Sequence, residues 1–236
     1  KLKTQGLGMH VFFDLLSLQK GDSLFTYNLN GDLLEITTED ELYGKAFTSS
    51  YSQNGLIFQL KNYSSKAQVH ISGYSIEINE KPKRKTSDFG ESDPCQVNVN
   101  CSEGEDFRKI QKSVVRILIK IDLAVFWCTG SLVNNTDYNY EPYILSAEHC
   151  GLSGSDIAPQ SDLDNWTFYF NYESPDCANP QNEGNLNRQR LTGATALANS
   201  KDGGGDFGSD FLLLKSLLSK ELELSSSKLS SLEFEI

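Results

Sequence analysis

The apolar positions of this chain fall in short runs. Residues 9–13, 23–27, 56–60 and 69–78 are rich in β-branched and aromatic side chains. Turn clusters separate them: Lys20-Gly21-Asp22, Asn30-Gly31-Asp32 and Gln53-Asn54-Gly55. Val69, Ile71 and Gly73 alternate with His70, Ser72 and Tyr74, the period of two of a half-buried antiparallel strand. Several strands at this spacing predict a small β-sandwich over residues 1–80. His10 and His70 sit in strand patterns without acidic or cysteine neighbours in sequence, and both read as structural.

Residues 95–215 also read as β, with strands expected at 114–121, 143–145, 166–171 and 211–214 and loops at 151–160 and 175–187. Residues 81–94 between the two units read as a basic linker. Lys81, Lys83, Arg84 and Lys85 crowd around Pro82. Linkers are where proteases cut, so Lys83, Arg84 and Lys85 are a candidate maturation site; a solvated connector is the plainer alternative. The last 21 residues, from Ser216, use six residue types and contain neither Gly nor Pro. Without turn signals they continue a β-domain poorly, and 216–236 read as a low-complexity tail.

Composition narrows the classes. Of 236 residues, 38% are hydrophobic and 22% charged, an ordinary globular balance. No apolar run approaches the ~18 residues of a membrane span. There are 21 Lys and Arg against 32 Asp and Glu, a net charge of −11, which argues against a nucleic-acid partner. Residues 1–88 hold ten of each sign and residues 89–236 hold 11 against 22, a contrast that suggests two units.

All five cysteines, Cys95, Cys101, Cys128, Cys150 and Cys177, lie in the second unit, and none forms a C-x-x-C pair. With only three histidines, far apart in sequence, no metal site and no cofactor are expected. Disulfides in an oxidising compartment are the better reading, and the odd count leaves one cysteine over. The opening Lys1-Leu2-Lys3-Thr4-Gln5 fits a secreted protein after signal removal, or an internal fragment.

Chemistry appears in Cys128-Thr129-Gly130-Ser131-Leu132 and in Ser146-Ala147-Glu148-His149-Cys150. In an extended strand His149 and Cys150 would point to opposite faces, so Cys150 is poorly placed to lose a proton to His149. A Cys128–Cys150 bridge uses the geometry better, pinning the turn that carries His149. A histidine base needs a carboxylate to fix its tautomer. Asp206 and Asp210 are the candidates. Asp210 is favoured because it directly precedes the apolar run Phe211-Leu212-Leu213-Leu214.

These segments resemble the trypsin-like serine endopeptidases, and more closely the bacterial lysyl endopeptidase group. The closer resemblance rests on three stretches: Cys95-Gln96-Val97-Asn98-Val99-Asn100-Cys101-Ser102-Glu103-Gly104, Leu132-Val133-Asn134-Asn135-Thr136, and Phe168-Tyr169-Phe170-Asn171-Tyr172-Glu173-Ser174 leading to Cys177. It covers about residues 92–215. It implies two six-stranded barrels with the active site between them, His149 as general base, Asp210 as its orienting acid, and protein or peptide substrates. It implies a Cys101–Cys177 disulfide, and a Cys95 whose partner belongs to the second barrel, so that Cys95 is unpaired here. An N-terminal β-rich pro-region is common in the group, and residues 6–13 and 21–27 are weakly similar to it.

In that family a nucleophilic serine follows the aspartate in a glycine-rich turn. The 26 residues after Asp210 hold seven serines and no glycine. Gly151-Leu152-Ser153-Gly154 has the form of such a turn but stands in the wrong chain order. The expected architecture is therefore all-β: an N-terminal sandwich, then the first barrel of a trypsin-like double barrel, with the second barrel absent. The expected function is the N-terminal part of a secreted, monomeric serine endopeptidase precursor, inactive by itself. A degenerate protease or a partner-binding β-module is the alternative.

Overall fold

The computed structural model describes residues 2–3, 8–39, 47–51, 53–77, 95–137, 139, 141–178, 189–203 and 208–217. Three sequence features fall outside them: the cluster Lys83, Arg84 and Lys85, the alternative aspartate Asp206, and the chain from residue 218 onward.

In the first unit the alternation of apolar side chains builds two sheets that face each other. One has the order β1 (Leu2–Lys3), β6 (Gly55–Lys61), β3 (Ser23–Asn28), β4 (Leu33–Thr38); the other is β5 (Phe47–Tyr51), β2 (Gly8–Ser17), β7 (Gln68–Glu77). Met9, Val11 and Phe13 of β2 meet Leu24 of β3 and Leu56 of β6 in one buried cluster. Asp22 pins the turn before β3. It is fully buried and accepts bonds from the backbone N–H groups of Gln19, Tyr63 and Ser64 and from the Ser64 hydroxyl, at 2.7–3.0 Å. Those bonds, the Ser64 hydroxyl first, hold its carboxyl well below the usual carboxylate range.

His70 departs from the sequence reading. Its Nδ1 lies 2.5 Å from Asp14 Oδ1, and both side chains are more than half exposed. The β2–β7 register shifts between Phe13 and Leu15. This bulge at Asp14 brings its side chain beside His70, a proximity invisible across 56 residues of sequence.

The second unit is a barrel. Its sheet order is β14 (Gln189–Thr192), β13 (Thr167–Phe170), β8 (Val114–Ile121), β9 (Ala124–Val133), β10 (Tyr143–Ser146), β16 (Leu212–Ser216), β15 (Ala194–Asn199). The first and last strands are consecutive in the chain, joined at Gly193. Gly193 N–H donates to Trp166 O and Leu217 N–H donates to Gly193 O, at 2.8 and 2.9 Å. One bent strand thus pairs on both sides and closes a six-stranded barrel. The bend needs φ of +93° at Gly193, which favours glycine.

Val115, Ile117, Ile119, Ile144, Phe168, Phe170, Leu212 and Leu214 fill the barrel around Trp166, whose indole N–H donates to Lys120 O at 3.0 Å. The strand expected at 166–171 is the shorter β13, with Trp166 ahead of it in the core. The loop expected at 151–160 folds back as a small hairpin, β11 (Leu152–Ser153) with β12 (Asp156–Ile157). Ser216, placed in the tail by sequence, ends β16 and is buried.

The two units touch through the outward faces of their strands. Phe12, Leu118 and Tyr169 are buried, yet none belongs to either core cluster. His10 packs edge-on against Trp127, Lys120 Nζ sits over the Phe12 ring, and Arg190 pairs with Glu35 at 2.5 Å. Burial on both faces explains why β8 reads Val-Val-Arg-Ile-Leu-Ile-Lys-Ile, apolar almost throughout.

Candidate active site

The register of β10 and β16 brings the chemistry together. Ser146 is opposite Leu212. The chain leaving β10 and the chain entering β16 therefore meet at one end of the barrel, carrying His149 and Asp210. The residues after β10 do not stay extended as the sequence suggested. They turn into a single helical turn, Glu148–Gly151, which leaves His149 Nε2 3.6 Å from Cys150 Sγ. The opposite-face expectation does not hold, and Cys150 is no proton donor to the ring because its sulfur is committed to a disulfide with Cys128. Gly151 packs where a Cβ would meet Leu212 at 2.7 Å, so a larger residue there would push the turn off the barrel.

Asp210 meets His149 at two points. His149 N–H donates to Oδ1 at 2.9 Å, and the ring Nδ1 lies 2.6 Å from Oδ2. The Asp210 side chain is 19% exposed and that of His149 is 57% exposed. Glu148 N–H also donates to Asp210 O at 3.1 Å. Asp210 itself has φ of +44°, a left-handed conformation uncommon outside Gly, Asn and Asp. Such backbone strain persists only where the surroundings over-determine it. The arrangement differs from the exposed His70–Asp14 pair in the second bond, in the shielding of the carboxylate and in the held backbone. With Nδ1–H engaged by Asp210, Nε2 keeps its lone pair and is the basic atom of the ring.

Cys128 and Cys150 form a disulfide with Cα atoms 6.3 Å apart, tying the His149 turn to β9. Cys101 and Cys177 form a second, and Cys95 is an exposed free cysteine. Around the second bridge the asparagines of the 97–101 stretch clasp the facing loop. Asn98 Nδ2 donates to the carbonyls of Cys177 and Ala178, and Asn100 Nδ2 to Ser174 O. Gly104 approaches so closely that a Cβ would lie 1.8 Å from Val99 O. Among the described residues the potential metal-ligating groups Cys128, His149 and Cys150 come within 4.8 Å of one another, but the two sulfurs are bonded to each other and offer no thiolate.

A sequence model of the family described as "Lysyl endopeptidase, C-terminal domain" matches residues 89–223, more than half of the 236-residue chain. The chain belongs to the lysyl endopeptidase family. The match spans the whole barrel, including the His149 turn and the Asp210 strand. A lysyl endopeptidase domain is part of a protease, whose substrates are proteins, and the two disulfides fit a protein of an oxidising compartment. No described helix is long and apolar enough to cross a membrane.

Sequence reasoning passed over Glu148, Asp202 and Gly208, which surround this site. Glu148 is 1% exposed. The only signal for it was an acid placed directly before the histidine; Asp202 and Gly208 gave none.

Proposed function

We propose that this chain is the N-terminal part of a secreted serine endopeptidase precursor. Residues 1–80 are a pro-region, residues 81–94 a linker cut on maturation at the cluster Lys83, Arg84 and Lys85, and residues 95–215 the first catalytic barrel. The family match begins at residue 89, inside that linker, and supports the division. His149 is the general base and Asp210 its orienting acid. Asp210 holds the imidazole with its proton on Nδ1; Nε2 takes the proton of a serine hydroxyl as the serine attacks the scissile carbonyl, then returns it to the leaving amine. The observation that carries this reading is the two-point contact between His149 and Asp210.

The nucleophile is proposed to come from a second barrel in the complete precursor. The serines after Asp210 in this chain have no glycine-rich turn to present one. An active-serine phosphonylating probe tests this. The 236-residue chain takes up no label, while the complete precursor, once matured, is labelled and loses the label on His149→Ala. Labelling of the 236-residue chain that disappears on changing one of its own serines contradicts the proposal. A degenerate relative would leave the matured protein unlabelled.

A further inference from the structure

The buried Glu148 carboxylate faces away from His149 and grips a separate loop. Its Oε1 accepts the Lys201 N–H at 2.8 Å and its Oε2 accepts the Asp202 N–H at 3.2 Å. The Ser200 hydroxyl lies 2.8 Å from Glu148 Oε2 and 2.7 Å from Asp202 Oδ1, and its one proton serves one of them at a time. Lys201 adopts φ of +55° in this grip. Asp202 then reaches back across the site. Its Oδ2 accepts the Ser209 N–H at 2.7 Å and the Asp210 N–H at 3.4 Å. Gly208 makes room for that carboxylate, since a Cβ there would lie 2.0 Å from Asp202 Oδ2.

These contacts close a ring. Glu148 holds residues 200–202 and Asp202 holds the amide side of Asp210. The Glu148 backbone N–H holds the carbonyl side of Asp210, and Asp210 holds His149. A residue in the left-handed region has no intrinsic reason to remain there, and here its N–H and its C=O are each engaged.

We infer that Glu148 and Asp202 are positioning residues for the endopeptidase reaction. They fix the backbone of Asp210 so that Oδ2 meets Nδ1 of His149 and the imidazole stays in the Nδ1–H tautomer. Neither touches the reacting atoms; both act through Asp210. The inference rests on the reading of His149 and Asp210 as base and orienting acid.

The tautomer of neutral His149 can be read in this chain by long-range 1H–15N correlation, with only three histidines to assign. The expected result is a mainly Nδ1–H ring in the unaltered protein. Glu148→Gln keeps the size of the side chain but replaces an acceptor oxygen by a donor; Asp202→Asn does the same at an exposed position where folding is not at stake. In both, the Nε2–H form becomes the majority, as it does in Asp210→Asn. Asp162→Asn, at a buried carboxylate paired with Lys120 away from the site, lowers the thermal midpoint and leaves the tautomer unchanged. A ring that stays Nδ1–H in folded Asp202→Asn overturns the inference while leaving the pair intact. A ring that is mainly Nε2–H in the unaltered protein overturns both.

Discussion

Asp210 gives both of its carboxylate oxygens to one residue: Oδ1 takes the backbone N–H of His149 and Oδ2 faces its ring Nδ1. A carboxylate tied at two points cannot rotate to follow a reoriented ring, so ring and acid move as a unit with the helical turn. An asparagine at 210 can keep its oxygen on the backbone N–H but must then turn an NH2 toward Nδ1. On the proposed mechanism, Asp210→Asn therefore moves the proton to Nε2, and His149 loses its lone pair where a serine would have to be deprotonated. The triad precedent puts the loss in turnover at about 10⁴-fold, with the thermal midpoint little changed because the replacement is nearly isosteric.

Gly208→Ala separates site geometry from stability. The added Cβ would displace the exposed carboxylate of Asp202 rather than any core atom. Unfolding by denaturant is expected to shift by less than ~1 kcal/mol, as at surface positions. Turnover in the complete enzyme falls, because the amide of Asp210 loses an acceptor. A loss of stability with turnover intact would show that the glycine serves packing alone.

The packing of the N-terminal unit on the barrel can be measured at Glu35 and Arg190. Both side chains are largely covered, 23% and 13% exposed, on strands β4 of the first unit and β14 of the second. A double-mutant cycle of Glu35→Ala and Arg190→Ala in denaturant unfolding is expected to give a coupling of about 1 kcal/mol, at the upper end for partly exposed pairs. Strictly additive effects would mean that the pair does not join the two units in solution.

Asp22 sets a pH dependence in the first unit. Its carboxyl is depressed by its hydrogen bonds, the Ser64 hydroxyl contributing most. The folded state therefore binds the proton less readily than the unfolded chain, whose Asp titrates near ~3.9. The stabilisation is fully present above that value and is lost as pH falls toward the lower folded value. The stability gap between the protein and Asp22→Asn is thus largest at neutral pH and narrows on acidification below about 4, measured as denaturant midpoints across pH. A gap that widens on acidification would contradict this sign.

Peptide mapping without reduction reads the cysteines directly. Alkylation is expected at Cys95 alone, with Cys101 joined to Cys177 and Cys128 to Cys150. The Cys128–Cys150 bridge spans 22 residues, for which chain entropy gives a stabilisation of about 3 kcal/mol. Removing it by a double Cys→Ser change lowers the denaturant midpoint accordingly. Cys95 linked to any of the other four would refute the pairing.

The all-β fold was legible because short apolar runs and turn clusters record period and punctuation locally. The site was legible where residues adjacent in sequence carry chemistry: the Ala-Glu-His-Cys turn, and Asp210 ahead of three leucines. Contacts set by register were not legible. The Asp14 bulge that meets His70, the strand bent at Gly193 and the reach of Glu148 to residues 200–202 link positions 24 to 56 residues apart, and no local pattern marks them. β15 was missed as a strand because Ala194-Thr195-Ala196-Leu197-Ala198-Asn199 is short on the bulky β-formers that betray one.

The most direct test sets two aspartates against each other. In the complete, matured protein, Asp210→Asn and Asp206→Asn are compared by turnover of a peptide substrate at saturating concentration. The account expects Asp210→Asn to lose roughly four orders of magnitude and Asp206→Asn to stay within a few-fold of the unaltered enzyme. A large loss on Asp206→Asn with Asp210→Asn nearly unaffected would contradict the assignment of Asp210 as the partner of His149.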